Sequence, residues 1–302
     1  MNIHLENVDL RSTSGPNHFA SKLMKYLDTT FDINKAPDAR LCFIESYRST
    51  FDNIPLFQRL DGIYFNTAQN YRIRNTNIKR TYDGADGAIF QSNFNKQLIT
   101  KYFGEHKNSI VIHNGADIEY IDKVPILANS QLDKYENVWC CASSWRPHKR
   151  LSENINYFLE HSSEKDCLVI AGNKSEDILK EDRIFYVGNI SILQLISLYK
   201  RAKYFIHLTW LDHCPNVVVD ARASGCQIIC SSAGGTKEIA GPEAIVIKED
   251  EWDFEPVKLY DPPAMDFTKK IKNDYDNDFD MRTVAKKYED FFTSTKRKLD
   301  SR

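Results

Sequence analysis

The chain has 302 residues, of which 42% are hydrophobic and 27% charged, a composition typical of a globular protein of about two domains. Its 40 basic and 42 acidic residues give a formal net charge of −2, which argues against a general nucleic-acid binder. No apolar run approaches the roughly 18 residues of a membrane span. The first residues also lack the basic start and long apolar stretch of a secretory signal, so we expect a cytoplasmic protein.

The cysteines point to the same compartment. There are seven of them, mostly inside apolar, strand-like runs, and no Cys-x-x-Cys pair occurs. This pattern predicts neither a zinc site nor a disulfide framework. Buried, reduced thiols in a cytosolic protein are the expected state.

Short apolar runs alternate with amphipathic stretches along most of the chain, which indicates βαβ units and parallel sheets. The first series predicts strands at 41–44, 62–65, 88–90 and 109–112, and helices at 17–27, 71–82 and 93–103. Ser92 is placed to cap the third of these helices. The second series predicts strands at 138–142, 167–171, 184–187, 204–208, 227–230 and 244–247, with helices such as 191–202 and 217–223 between them. Two such series predict an α/β fold with two doubly wound, Rossmann-like domains.

The domain limits follow from breaks in this pattern. We expect an N-terminal domain over 1–125 and a C-terminal domain over 126–282, because the stretch 122–136 lacks strong periodicity and contains turn-forming residues. The last segment, 283–302, has a helical apolar face and is expected to return to the first domain.

The segment 207–225 is the richest in candidate chemistry. A strand ends near Leu208, and a helix starts around Pro215 and Asn216, where proline is well tolerated in the first turn. The amides of Asn216 and Val217 then lie at a helix N-terminus, at the carboxyl edge of a parallel sheet. Such a position is an anion-binding site.

Two carboxylates accompany this helix start. Asp212 precedes it and Asp220 lies two turns further on. For either residue alone the simpler interpretation is a helix cap or a solvated helix residue. The two together favour a ligand with hydroxyl groups on both sides of its phosphates, such as a nucleotide sugar.

A cluster of cations opens another helix. Arg146, Lys149 and Arg150 follow the first strand of the second series. Cations are unfavourable at a helix N-terminus, so three of them there indicate a bound polyanion such as a pyrophosphate. A solvated basic turn is an equally good interpretation of these residues alone.

Three further loops carry weaker signals. Gly234 and Gly235 follow a strand, where glycine allows either close approach of a ligand or tight packing. Ser14 and Gly15 stand before the first helix but do not form a Gly-x-Gly-x-x-Gly fingerprint, so a dehydrogenase cofactor is poorly supported. The Asn-Gly pair at Asn114 has the composition of a plain turn.

Together these segments resemble glycosyltransferase family 4, the retaining nucleotide-sugar enzymes of the GT-B fold. Asp212 and Asp220 keep the seven-residue spacing of the family's two glutamates. The Gly-Gly…Glu pattern of the family is matched over 234–238, and its Asn-Gly-x-Asp turn over 114–117. The resemblance is strongest over 138–240.

The resemblance implies a GT-B fold with an interdomain cleft, a site without metal and no cofactor. Lys149 would hold the donor pyrophosphate with Arg146 beside it, and Asp212 would contact the sugar hydroxyls. Asp220 would contact the ribose. The residues implied in donor binding are Ser14, Gly15, Ser144, Arg150, Gly172, Asn173, Asn189, Ile190, His213, Cys214, Asn216, Val217 and Asp220.

The chain departs from the family pattern at three points. Both family glutamates are aspartates here, one methylene shorter. The family's arginine, five residues before the lysine, falls on Ser144, so Arg146 or Arg150 would have to replace it. No donor-stacking histidine can be placed in the first domain.

The resemblance implies transfer of a hexose to a glycan, glycolipid or glycoprotein. GDP-mannose is the favoured donor, and UDP-glucose or UDP-N-acetylglucosamine is second. The alternatives are a catalytically weak nucleotide-sugar-binding or scaffold protein, and a sugar-nucleotide epimerase. The expected partners are the donor and a carbohydrate-bearing acceptor, with no nucleic acid and at most weak peripheral membrane contact. A homodimer is compatible with the sequence.

An acidic run over 273–280 contains Asp-x-Asp three times. It lies outside the predicted sheets and lacks the glycine and terminal glutamate of a calcium loop. We expect a solvated acidic linker here rather than a metal site.

Overall fold

A computed structural model describes residues 1–12, 14–31, 37–47, 54–173 and 181–301. The chain forms two compact units. The first consists of Met1–Gly115, Asp253–Val257 and Asp278–Arg302, and the second of Ala116–Trp252 and Lys258–Asn277. The chain thus passes from the first unit to the second after Gly115, ahead of the stretch 122–136 in which the sequence places the boundary.

The first unit is built on a parallel sheet whose described strands have the order β2-β1-β3-β4-β5-β6. Its elements are β1 (Ile3–Glu6), α1 (Gly15–Leu23), β2 (Thr29–Thr30), β3 (Ala39–Phe43), β4 (Leu56–Leu60), α2 (Tyr71–Gly84), β5 (Gly87–Phe90), α3 (Asn93–Phe103) and β6 (Ser109–Val111), with the C-terminal α8 (Met281–Asp300). As predicted, Ser92 caps α3, since its Oγ accepts a hydrogen bond from the Asn95 amide at 3.0 Å.

One strand prediction in this unit is wrong. Residues 62–65 are not a strand of the sheet, and the strand lies instead at Leu56–Leu60. The apolar run that suggested a strand leads into a short bridge, in which the Phe65 carbonyl accepts from the Val257 amide at 3.1 Å. The true strand carries Gln58 and Arg59, and both are buried.

The core of the first unit includes the apolar face of α8. Its Phe292 ring lies 4.4 Å from the Phe57 ring of β4, centroid to centroid, and its Tyr288 lies 5.9 Å from Phe19 of α1. The C-terminal helix therefore contributes to the core formed by the N-terminal part of the chain.

The second unit contains a sheet whose described strands have the order β13-β12-β11-β10-β7-β8-β9, parallel except for the β12–β13 pair. Its elements are α4 (Ile118–Lys123), β7 (Asn137–Ala142), α5 (Leu151–His161), β8 (Asp166–Ala171), β9 (Ile184–Gly188), α6 (Ile192–Arg201), β10 (Tyr204–His207), α7 (Asn216–Ala223), β11 (Gln227–Ser231), β12 (Ile245–Ile247) and β13 (Lys270–Ile271). The six strands predicted in the second series all belong to this sheet, with ends that differ by at most one residue.

The direction of winding reverses between β7 and β10. From β7 the chain continues to β8 and β9 on one side, and it returns to β10 and β11 on the other. In doubly wound sheets, ligands bind at such a reversal, outside the carboxyl ends of the strands. The loops after β7 and β10 therefore meet at the position where a ligand is expected.

All seven cysteines are buried, as the sequence predicts, and none of them forms a disulfide in the structure. No helix in the described parts of the chain is long and apolar enough to cross a membrane.

Candidate functional site

The loop after β10 leads directly into a helix N-terminus. Pro215 has an extended backbone, and its carbonyl accepts from the amides of Val218 at 3.1 Å and Val219 at 3.4 Å. Helix α7 therefore begins at Asn216, as predicted. Because the first turn of a helix has N–H groups without intrahelical partners, it presents partial positive charge at the carboxyl edge of the sheet.

Lys149 and Asp212 meet at this edge. Lys149 lies in the short 3₁₀ turn Pro147–Lys149 that follows β7, and its Nζ is 2.7 Å from Asp212 Oδ2. The two side chains are 20% and 15% exposed. The pair is therefore partly shielded from water, yet a ligand can still reach it.

Two further groups hold the Asp212 carboxylate. The His207 Nε2 lies 3.1 Å from Oδ2, and the His213 backbone amide donates to Oδ1 at 2.9 Å. Burial raises the pKa of the Asp212 carboxyl, but the Lys149 charge and the His207 hydrogen bond outweigh it and hold the pKa well below its ordinary value. Asp212 is therefore ionised across the physiological pH range.

The histidines around this pair are neutral. Burial lowers the pKa of His148 to about 3 and that of His213 to about 4. Burial also lowers the pKa of His207. The formal positive charge in contact with Asp212 at neutral pH therefore comes from Lys149. In the described part of the chain, Arg146 is exposed and forms no ion pair.

Arg150 does not join these cations. Its side chain is fully buried, and its guanidinium nitrogens lie 3.0 and 2.7 Å from the two carboxylate oxygens of Glu249. It also donates to the Pro263 carbonyl at 2.7 Å. Removing a partner from a buried ion pair is costly, so Arg150 is fixed in a structural role. This placement corrects the expectation that Arg150 binds the donor or replaces the family arginine.

The glycine pair after β11 supports the Asp212 loop. Gly234 has a φ of 107°, and a Cβ there would lie 2.6 Å from the Asp212 carbonyl oxygen. The Gly235 amide donates to the same oxygen at 2.8 Å. Of the two roles that the sequence leaves open for these glycines, the structure shows tight packing, against the backbone of Asp212.

The loops after β7, β8 and β9 are linked by short backbone contacts. The Gly172 amide donates to the Gly188 carbonyl at 2.8 Å, and a Cβ on Gly172 would lie 1.8 Å from the Ser143 carbonyl oxygen. The Asn173 Oδ1 accepts from the Trp145 amide at 2.6 Å. These contacts hold together the loops of Gly172 and Asn173, which the family resemblance implies in donor binding.

The other predicted donor-binding residues vary in exposure. In the second unit Ser144 and Asn189 are exposed, Ile190, His213, Asn216 and Val217 are half-buried, and Cys214 is buried. Asp220 lies on the second turn of α7 and is 5% exposed. Ser14 and Gly15 are exposed at the start of α1 in the first unit.

The acidic run has partners of its own. Asp274 pairs with Lys272 at 2.7 Å, and Asp276 with Arg222 at 3.3 Å. Asp280 accepts from the Arg282 amide at the start of α8. Within the described residues, no group of three His, Cys, Asp or Glu side chains is arranged to hold a metal ion.

Residues 122–254 match the family model described as glycosyl transferases group 1. The fold is that of known GT-B proteins. The crystal structure of HepE from Anabaena in complex with UDP-glucose superposes with a TM-score of 0.63 at 14% identity, covering 100% of both chains. A glycosyltransferase from Rickettsia africae superposes with a TM-score of 0.61 at 15% identity, covering 97% of this chain and 98% of that one.

A trehalose-phosphate synthase from Burkholderia xenovorans, solved with glucose-6-phosphate, superposes with a TM-score of 0.58 at 11% identity, covering 92% of this chain and 77% of the other. No curated protein sequence gives a significant match. These likenesses show an α/β structure with two Rossmann-like sheets and the GT-B fold.

Proposed function

We propose that this chain, in which residues 122–254 match the family model of group 1 glycosyl transferases, transfers a hexose from a nucleoside diphosphate sugar to a carbohydrate-bearing acceptor, with retention of anomeric configuration. The observation that carries the proposal is the Lys149–Asp212 pair at the reversal of the second sheet, beside the N-terminus of α7. A cation, a carboxylate and a helix end at one edge match the phosphates and hydroxyls of such a donor.

The chemistry depends on stabilising the leaving group. The bond between the anomeric carbon and the diphosphate oxygen breaks, and its electron pair stays on that oxygen. Lys149, Arg146 and the first-turn amides of α7 neutralise the developing charge. The acceptor hydroxyl oxygen bonds to the same face of the anomeric carbon, and its proton passes to the leaving phosphate.

We infer the remaining roles from the resemblance to glycosyltransferase family 4. Asp212 accepts hydrogen bonds from the sugar hydroxyls, and Asp220 accepts from the ribose. The base lies against the loops after β8 and β9, at Gly172, Asn173 and Asn189. The expected localisation is cytoplasmic.

Three donors are candidates, with GDP-mannose first and UDP-glucose or UDP-N-acetylglucosamine second. GDP-mannose is favoured because the loop that runs from Asp212 to Asn216 resembles that of mannosyltransferase-like members of glycosyltransferase family 4. UDP-glucose is the ligand in the HepE structure, which has the same fold.

The test is calorimetric titration of the purified chain with GDP-, UDP-, ADP- and TDP-sugars, followed by a search for released nucleoside diphosphate. We expect one sugar nucleotide to bind more tightly than its nucleoside diphosphate, and slow release of that diphosphate on incubation. Binding without release, even with a range of glycan acceptors, would favour a non-catalytic binding protein. Failure of every sugar nucleotide to bind would overturn the proposal.

A further inference from the structure

His207 is the last residue of β10, and its ring is almost fully enclosed, with a side chain 3% exposed. Its Nε2 lies 3.1 Å from Asp212 Oδ2. The imidazole is neutral and the carboxylate is ionised, so the contact is a hydrogen bond in which Nε2–H donates. Because the ring sits on a central strand and is buried, this bond belongs to the rigid part of the site.

The hydrogen bonds to Asp212 can be counted. A carboxylate offers about four lone-pair positions. Among the residues that the structure describes, three are occupied, by Lys149 and His207 on Oδ2 and by the His213 amide on Oδ1. A buried ring and a backbone amide provide two of these bonds. The third comes from an ammonium group on a flexible, partly exposed stem.

We propose that His207 is a positioning residue, which keeps Asp212 in its sugar-binding orientation when Lys149 turns to the donor diphosphate. This inference rests on the proposed function. Once Lys149 bonds to a phosphate oxygen, it vacates a position on Oδ2, and one position on Oδ1 is already open. The carboxylate can then accept two hydroxyl groups of the donor sugar.

Without His207 the carboxylate would keep only the His213 amide bond when Lys149 leaves. It would then be free to rotate or to follow the lysine. Recognition of the sugar therefore depends on His207, whereas recognition of the diphosphate does not. The measurable quantity is the sugar increment, defined as the Kd of the nucleoside diphosphate divided by the Kd of its sugar nucleotide.

The experiment uses the full chain with His207→Leu and His207→Gln, titrated with UDP, UDP-glucose, GDP and GDP-mannose near pH 8. For His207→Leu we expect the sugar increment to fall about tenfold while the Kd of the nucleoside diphosphate changes less than about twofold, because one hydrogen bond to a charged group is lost. His207→Gln should recover most of the increment, since its amide still offers an N–H donor.

His106→Leu is the matched control. The His106 ring nitrogens lie 2.7 and 3.1 Å from the carbonyls of Asn108 and Ala85, in the first unit. Its replacement should lower stability and leave the sugar increment unchanged. A second readout needs no variant: the ¹⁵N shifts of the native His207 ring should show the neutral form with the proton on Nε2.

The outcomes separate the two proposals. If the native chain binds no sugar nucleotide, both the proposed function and the role of His207 are overturned. If the native chain discriminates sugar nucleotides and His207→Leu keeps the same increment, or loses affinity for diphosphate and sugar nucleotide equally, only the positioning role fails. A proton on Nδ1 would also overturn it, because Nε2 could not then donate.

Discussion

Each unit carries a cation–carboxylate pair at the end of a strand in its parallel sheet, and the two pairs differ in exposure. In the first unit Arg59 pairs with Asp61, and their side chains are 1% and 7% exposed. In the second unit the Lys149 and Asp212 side chains are 20% and 15% exposed. The first pair is sealed within the protein, and the second is open to a ligand.

The donors of Arg59 are taken by the protein itself. Besides Asp61, its guanidinium donates to Asn114 Oδ1 at 2.7 Å and to the Tyr288 hydroxyl at 3.1 Å, and it lies 4.0 Å from the centre of the Phe19 ring. The Lys149 ammonium, in contrast, is a point charge on a flexible stem that can exchange its carboxylate for a phosphate. A buried pair stabilises the fold, whereas a half-open pair can change partners.

Arg59→Leu tests the buried Arg59–Asp61 pair. Of the changes considered, it should have the largest effect. We expect a loss of about 3–5 kcal/mol in the free energy of unfolding, because Asp61 is left buried without its counter-ion. Urea unfolding followed by circular dichroism measures this. Arg11→Leu is the control, because the Arg11–Asp9 pair is 92% and 51% exposed. It should change stability by less than about 0.5 kcal/mol. Equal effects of the two variants would contradict the structural role of Arg59.

Lys149→Ala should test the open pair. We expect affinity for a nucleoside diphosphate to fall by about 1.5–3 kcal/mol for each bond lost to phosphate, with little change for the nucleoside. Calorimetry with both ligands measures the difference. Lys165→Ala is the control, since Lys165 pairs on the surface with Glu136, where the two side chains are 69% and 61% exposed. An equal loss for nucleoside and diphosphate would remove Lys149 from the phosphate site.

Low pH should destabilise the second unit, because it protonates histidines that are buried and neutral in the native state. His148 and His213 have native pKa values of about 3 and about 4, below the unfolded value of about 6.5, so the unfolded state binds more protons below that pH. Stability is therefore lost as the pH falls through about 6.5 and continues to fall toward the native pKa values. We expect each histidine to make the free energy of unfolding about 1–2 kcal/mol smaller near pH 5 than near pH 8. Unfolding of His148→Gln and His213→Gln at both pH values should show a weaker pH dependence than that of the native chain.

Asp220→Asn should test whether Asp220 contacts the ribose of the donor. We expect about a tenfold weaker affinity for a ribonucleotide and almost none of this loss for its 2′,3′-dideoxy analogue, because an amide has one acceptor oxygen where a carboxylate has two. Titration of both ligands against both proteins measures this discrimination. If it is the same in native and variant chains, Asp220 does not contact the ribose.

The smallest expected effect is that of metal removal. Donor affinity should be unchanged by EDTA, because Lys149, Arg146 and the α7 N-terminus supply positive charge to the diphosphate. Replacement of Asp274, Asp276, Asp278 and Asp280 by Asn should also leave donor affinity unchanged. It should lower stability slightly, since Asp276 pairs with Arg222 and Asp280 with Arg282, and the amides cannot form these ion pairs. Loss of binding in EDTA, restoration by Mn²⁺ and failure of that restoration in the variant would instead place the donor at the acidic run.

The sequence by itself determined the second sheet and the start of α7. Runs such as 138–142 and 167–171 are apolar throughout, because strands of a parallel sheet are buried on both faces. Pro215 marks a helix start for a local reason, since its fixed φ and missing donor suit the first turn. The seven-residue spacing of Asp212 and Asp220, and the position of Lys149 after β7, are likewise properties of short segments.

Only the tertiary structure decided which polar residues are structural and which are open to a ligand. The sequence does not predict strand β4, because Gln58 and Arg59 interrupt its apolar pattern. Arg59 is buried there because it donates a hydrogen bond to the hydroxyl of Tyr288, 229 positions away. Arg150 and Lys149 are neighbours of the same charge, yet Glu249 fixes Arg150 in the interior while Lys149 reaches Asp212. Partners that lie so far apart in the sequence leave no local sequence pattern. The role of each charged residue therefore depends on its burial and its hydrogen bonds in the folded chain.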